Sequence, residues 1–318
     1  MEYNKRIADM RNGDAVEGFY VLKGAYPKTT AAGKPFLSAS LSDASGVIDA
    51  KMWDYTGPIG AAEEGRIIKL QGKVSEYRGT PQIVIDRLRL RTESDPVDLG
   101  ALVPVAPVDA DAYLQKVNDL VDSMKDADYQ TLCRELLRRH LAEFRQIPAA
   151  KSVHHSFLGG LLMHTADMLT MADFLSNQYG TIIDRDLLLA GTLLHDFAKA
   201  KEFTFSELGL ATNYSTSGQL LGHLVMGAQE VADTARELGV PEDKSMLLQH
   251  MILSHHGEPE FGAAVRPMFA EAELLSYIDM IDSRMEIYRE VLNDLPVGEF
   301  SDRIFALERR VYKPHEVK

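Results

Sequence analysis

Residues 188–203 read LLAGTLLHDFAKAKEF. The first half is apolar on every side, which marks a helix buried all round rather than one lying on a surface. It runs into an imidazole and a carboxylate side by side, His195 and Asp196, followed by Lys199 and Lys201. Charged groups at the end of a buried helix are costly unless they are paired. The stretch therefore predicts a helical core whose dyad is either a local hydrogen-bonded pair or the place where something charged sits.

The flanking sequence repeats both features. DAYLQKVNDLVDSMKD, from Asp111, puts Leu114, Val117, Leu120, Val121 and Met124 on one helical face. The segments GGLLMHTADMLTMADFLSNQYG, GHLVMGAQEVADTARELG, EDKSMLLQHMILSHHG and EAELLSYIDMIDSRMEIYREVL continue the pattern. Each otherwise core-like run carries a polar intruder: His164, His223, His255 with His256, and Asp279. One such histidine is most simply a satisfied core residue. Intruders on five successive segments predict a shared cation, since a single charge satisfies them together. Imidazole and carboxylate donors suit zinc, iron or manganese rather than a thiolate-bound ion. A bridging carboxylate at Asp196 would let two ions, about 3.5–4 Å apart, clamp a phosphate. Asp282, one turn after Asp279, is a candidate to fix a histidine tautomer. His140, in the charged run RELLRRHLAEF, is expected to face solvent, as is Lys201. His250, five residues before His255, is expected off the ligand face.

Residues 14–91 change period. AVEGFYVLKGAY, PFLSASLSD, GVIDAKMWD, RIIKLQGKVSEYR and PQIVIDRLRL are rich in β-branched and aromatic residues and are separated by Gly, Pro and small polar breaks. In the third, Val47, Asp49, Lys51 and Trp53 alternate with Ile48, Ala50 and Met52. Five short strands with a longer connection between the third and fourth suit a five-stranded Greek-key barrel, the OB-fold. Such barrels bind single strands through basic grooves and stacked aromatics. The candidates are Phe19, Tyr20, Phe36, Trp53 and Tyr77, with Lys34, Lys51, Lys73, Arg78 and Arg87; about half of the aromatics must fill the core, Phe36 and Trp53 partly. The predicted organisation is a multidomain α and β chain: an OB-fold barrel over 1–91, a proline-bearing linker over 92–110, and an all-α domain over 111–318.

Composition bounds the function. Hydrophobic content of 45% and charged content of 25% are those of a soluble globular chain. The net charge of −13 is uneven: residues 1–95 hold 14 Lys+Arg against 13 Asp+Glu, and the rest is acidic. A polyanion would meet the barrel more easily than the helical half, which could approach one only at a basic or metal-loaded spot. Cys133 is the single cysteine, so neither an intrachain disulfide nor a cysteine zinc site is available. No apolar run nears the roughly 20 residues of a membrane span, and MEYNKRIADMRNGD has no apolar core of a secretory signal. These features predict a cytoplasmic location and no membrane partner.

The ordered set His164, His195–Asp196, His223, His255 or His256, and Asp279 resembles the H…HD…H…H…D signature of the HD superfamily of metal-dependent phosphohydrolases. With the barrel ahead of it, and with HHSFLGGLLMHT, LLHDFAKAKEF, STSGQLLGHLVMG, HMILSHHGEPEFG, YIDMIDSRM and the tail RIFALERRVYKP, nearly the whole chain is similar to the YhaM-type 3′-5′ exoribonucleases. That resemblance implies His164, His195, Asp196 and Asp279 around a first ion, and Asp196, His223 and His255 around a second, with His256 alternative or additional. It implies Lys199 facing a substrate phosphate, and His155 at the scissile phosphate or behind the ligands. It implies one or two divalent ions per chain, manganese first, with iron, cobalt or zinc as alternatives. The implied activity is hydrolysis of terminal phosphodiesters of single-stranded RNA, and also single-stranded DNA, by a chain able to form a homo-oligomer. HDFAK departs from the family where a glycine often precedes the lysine; no ligand is lost. Two other readings remain open: an HD phosphohydrolase acting on small nucleotides, and a single-strand-binding protein that uses its helical half as a scaffold.

Overall fold

A computed structural model describes all residues except 1, 78, 104, 150–156, 207, 210, 317 and 318. His155 and Arg78 therefore lie outside the described residues. The chain forms two compact units, residues 1–105 with 205–209 and residues 106–204 with 210–318.

The first unit is a closed barrel. After a two-residue strand β1 (Glu2–Tyr3) come β2 (Ala15–Thr29), β3 (Pro35–Asp43), β4 (Gly46–Trp53), β5 (Ile67–Tyr77) and β6 (Thr80–Leu90). The sheet runs β1-β2-β3-β4-β6-β5, and β5 returns to pair with β2. β4 and β6 pair in parallel while the other barrel neighbours are antiparallel, which is the five-strand order of an OB-type fold. Closure removes the open sheet edges that would otherwise invite aggregation.

Alternation decides what fills the barrel. On β4, Ile48 and Ala50 are buried and Met52 packs on the core, while Val47, Asp49 and Trp53 are exposed. Trp53 is 48% exposed, so its expected part in the core is corrected: it belongs to the outward set by strict period two. Phe36, its cross-strand partner, is half-buried, and the two rings lie 5.2 Å apart. Tyr20 is core, its hydroxyl donating to the Lys5 carbonyl at 2.8 Å. Phe19 is buried too, because Tyr3 packs edge-on against its outer face at 6.2 Å. Neither ring is free to stack on a strand. Tyr77 is exposed, and Lys51 Nζ lies 4.8 Å from its ring and 5.9 Å from that of Trp53. Residues 92–103 include a single-turn helix α1 (Leu99–Leu102), capped by Asp98, with Leu102 and Val103 buried and the Ala44 amide donating to the Ala101 carbonyl.

The second unit is helical: α2 (Ala110–Asp122), α3 (Ala127–Arg139), α4 (Leu141–Gln146), α5 (Gly160–Gln178), α6 (Arg185–Leu194), α7 (Lys199–Glu202), α8 (Thr216–Leu238), α9 (Glu242–Ser254) and α10 (Ala270–Asp294), with a two-stranded hairpin β7 (Phe203–Phe205) and β8 (Ala211–Tyr214) between α7 and α8. Asp109, Asp126 and Asp184 cap α2, α3 and α6 by accepting first-turn amides, as their sequence positions dictate. α6 is buried on all sides, from Leu187 through Leu194, and so carries the following dyad into the interior. After α10 the tail folds back: Leu307 and Val311 pack on Ile287, which sets the turn at 305–307 beside that helix. Among the described residues no helix is long and apolar enough to cross a membrane.

Candidate metal centre

Five elements deliver the polar intruders to one place. His164 is on the second turn of α5, His195 and Asp196 follow the last residue of α6, His255 follows α9, and Asp279 and Asp282 share a face of α10. His223 comes from α8, where Gly222 breaks the helix with φ +71°. An L side chain adopts that conformation only under strain.

Asp196 is the hub. Its Oδ2 lies 3.2 Å from His195 Nε2 and 3.8 Å from His164 Nε2; its Oδ1 lies 3.5 Å from His223 Nε2 and 3.8 Å from His255 Nε2. Asp279 Oδ1 is 3.4 Å from His164 Nε2. Two groups of donor atoms, each within 4.8 Å of one another, emerge: His164, His195 and Asp196, and His223, His255 and His256. The structure therefore brings together His164, His195, Asp196, His223, His255, His256 and Asp279.

The tautomers are set from behind. His195 Nδ1 donates to the Thr192 carbonyl at 2.8 Å, and His255 Nδ1 to the Ile252 carbonyl at 2.8 Å. His164 Nδ1 donates to Asp282 Oδ2 at 2.6 Å, the partner expected from sequence. His223 Nδ1 donates to Glu202 Oε1 at 3.0 Å, and the same oxygen accepts the His223 amide at 3.1 Å. Each ring thus turns Nε2 toward Asp196. Sequence reasoning missed Glu202. The signal was Gly222: a helix broken there strips the His223 amide of its acceptor, and a buried amide needs another. Gly218 lets Glu202 in, since a Cβ at 218 would meet the Glu202 carbonyl oxygen at 2.1 Å.

Burial makes this arrangement expensive without a cation. His164, His195, Asp196 and His255 are between 0% and 2% exposed. His195 Nε2, His223 Nε2, Asp196 Oδ1 and His256 Nδ1 are buried with no hydrogen bond. Several such atoms in one spot, all able to offer a lone pair, fit a divalent ion held by nitrogen and oxygen donors. Burial and the neighbouring His195 push His255 well below the usual imidazole range, and burial with His223 lowers His256, so both offer neutral rings. Burial opposes ionisation of Asp196, but Lys199 and His195 outweigh it and hold the carboxyl well below its ordinary range. Burial likewise opposes the charge on His195, and Asp196 reverses the effect. Lys199 Nζ is 2.6 Å from Asp196 Oδ2; burial lowers its pKa, the carboxylate more than restores it, and the ammonium persists.

The remaining candidates are placed elsewhere. His140 is buried, not solvent-facing: Nε2 is 2.6 Å from Glu230 Oε1 and the ring lies 5.8 Å from that of Phe197. Its partner, 90 residues away, is what the local charge pattern could not show. Lys201 is half-exposed and pairs with Glu230 at 2.9 Å. His250 Nε2 accepts the Met268 amide at 3.0 Å, away from the donor groups.

Residues 161–284 match the family model of the HD domain, which spans the donors from His164 to Asp279. A second family model, TraI_2, carries a helicase description and matches residues 113–185. Among solved structures, the second OB-fold domain of replication protein A from Methanococcus maripaludis matches at 17% identity, covering 30% of this chain and 100% of that one, with a TM-score of 0.24. An OB domain from Methanosarcina mazei matches at 20% identity over 30% of this chain and 90% of that one, with a TM-score of 0.25. The chain is thus an OB-type barrel followed by a helical HD domain, the barrel on its own strand order and the helical part on its match and donor set.

Proposed function

We propose that this chain is a metal-dependent 3′-5′ exonuclease on single-stranded RNA, able to act on single-stranded DNA, and that it serves RNA turnover in the cytoplasm. The observation that carries the reading is the division of Asp196 between two donor sets, with Oδ2 toward His164 and His195 and Oδ1 toward His223 and His255. That pattern suits two ions sharing one carboxylate. His164, His195, Asp196 and Asp279 would hold one, and Asp196, His223, His255 and His256 the other; manganese fits such donors, as do iron, cobalt and zinc. Bound there, the ions supply Lewis-acid polarisation of a phosphodiester and a water acidic enough to attack it at neutral pH.

The chain's own residues do the rest. Asp282 and Glu202 hold His164 and His223 in the tautomer that presents Nε2. The Lys199 ammonium sits at the edge of the site and would offset charge on a phosphate oxygen as the leaving group departs. His155 remains a candidate for the same phosphate. On the barrel, Trp53, Tyr77 and half-buried Phe36 flank Lys51 on the outer surface, which suits stacked bases and a nearby phosphate. The near balance of charge in residues 1–95 supports guidance of a strand rather than tight capture.

The test uses purified full chain with Mn²⁺ and a single-stranded RNA labelled at its 5′ end. The expected result is a ladder shortening stepwise from the 3′ end, blocked by a 3′-phosphorothioate linkage and abolished in Asp196→Ala. Hydrolysis of free nucleotides without any shortening of the strand would replace this reading with a small-nucleotide phosphohydrolase. Full activity in Asp196→Ala would remove the mechanism.

A further inference from the structure

Beside the donor sets, within the helical unit, lies a cavity of about 420 Å³. That is the scale of a small-molecule pocket. His255, His256, Asp279 and Lys199 form its inner end. The outer walls differ from one another. One is apolar: Phe261, 70% exposed, and Met280, 40% exposed, with Ala306 from the tail turn. The other is polar, with Ser283 and Arg284.

Two features show that these walls are built. Phe261 ends a short 3-10 turn, Pro259–Phe261, stopped by Gly262 at φ +105°. A Cβ at 262 would come within 3.2 Å of His256 Nδ1, so the Phe261 turn is seated directly against a donor of the second set. Arg284 lies on α10, five residues beyond Asp279, exposed and engaged in no ion pair among the described residues. On the same helix Arg289 pairs with Glu286. In an acidic domain, an arginine left unpaired beside a cavity is available to an anion brought from outside.

We infer that this cavity seats the terminal nucleotide of the strand, with its base against Phe261 and Met280 and its sugar-phosphate side toward Arg284. The inference rests on the hydrolase reading for the chemistry at the inner end. An aromatic and a thioether wall present π and apolar surface with no directional hydrogen-bond group, so any of the four bases is accepted. Arg284 reads the backbone, which every nucleotide shares.

The experiment uses the full, manganese-loaded chain as wild type, Phe261→Ala, Phe261→Trp, Arg284→Ala and Arg284→Lys. Calorimetry measures adenosine 5′-monophosphate, uridine 5′-monophosphate and inorganic phosphate. Wild type binds both nucleotides more tightly than phosphate and with similar affinity to each other. Phe261→Ala loses about tenfold or more of that advantage, and Phe261→Trp retains it. Arg284→Ala weakens the nucleotides, and Arg284→Lys restores part of the loss. On strands, the wild-type preference for a 3′-terminal nucleotide over an abasic one collapses in Phe261→Ala. Nucleotide binding in Phe261→Ala equal to wild type, or wild-type affinity no better than that for phosphate, overturns the inference. Phe261-dependent nucleotide binding without any strand shortening leaves the pocket standing and removes the exonuclease reading instead.

Discussion

The barrel and the helical domain spend their polar residues in opposite ways. Among the described residues of β2 to β6, only Ser42 is both polar and buried, and the aromatic and charged groups suited to a nucleic acid lie on the outside. In the helical domain His164, His195, Asp196, His223 and His255 are buried together. An outward Trp53 costs the fold little, since scattered exposed apolar side chains are ordinary. A buried cluster of lone pairs is costly, and is tolerated only if something compensates it. The difference teaches where function is rigid and where it is soft. Changes at the centre should act on metal and chemistry, whereas changes on the barrel surface should act on strand affinity alone.

The sharpest way to break that comparison is through Glu202, which touches no proposed ion. Glu202→Ala leaves the His223 amide and Nδ1 without their shared acceptor, and metal affinity measured by competitive chelation should fall about 10–100-fold. Glu202→Gln keeps a carbonyl oxygen for both N–H groups and should recover most of the loss. Unchanged affinity in Glu202→Ala would mean that His223 is held by packing alone.

A smaller effect is expected on the barrel. Trp53→Ala should weaken single-strand binding about fivefold to tenfold, the lower part of the range for losing one stacked base. Its metal content and its thermal midpoint should match wild type. A fall in thermal midpoint of several degrees would place Trp53 in the core after all.

The smallest effect concerns a charge pair away from the centre. Glu230 is partly buried, which by itself opposes ionisation, yet His140 and Lys201 draw its carboxyl down from an ordinary 4.5 to about 2. The folded chain therefore keeps Glu230 ionised where the unfolded chain would protonate it. Its contribution is present above about pH 4.5 and is lost as the pH falls toward 2. Denaturant titrations at pH 7 and pH 3 should show Glu230→Gln closer to wild type at the lower pH. A gap that does not narrow would assign the pair no linked stability.

Legibility from sequence followed the reach of each interaction. β3 and β4 were readable to within a residue, because alternation and turn residues are local properties. Trp53 shows the same rule from the other side: expected partly in the core, it obeys its strand's period and faces out. Phe19 and Tyr20 defeat alternation, since consecutive residues are both buried once Tyr3 covers the outer face of β2. Asp282 was foreseeable because it lies one helical turn from Asp279 and so shares its face. Glu202 and the burial of His140 were not, because each depends on a contact 21 or 90 residues away. The donor residues themselves were legible as polar intruders in apolar helices, and Asp196 was expected to bridge two sets; what the sequence could not supply was which oxygen faces which histidines.

That split is the central claim, and metal content tests it most directly. Full-length protein loaded with Mn²⁺, dialysed and assayed by elemental analysis should hold two ions per chain, and Asp196→Ala, which removes the oxygens facing both sets, should hold fewer than one while staying folded by circular dichroism. Fewer than one ion in the wild type, or two ions retained in Asp196→Ala, would contradict the account.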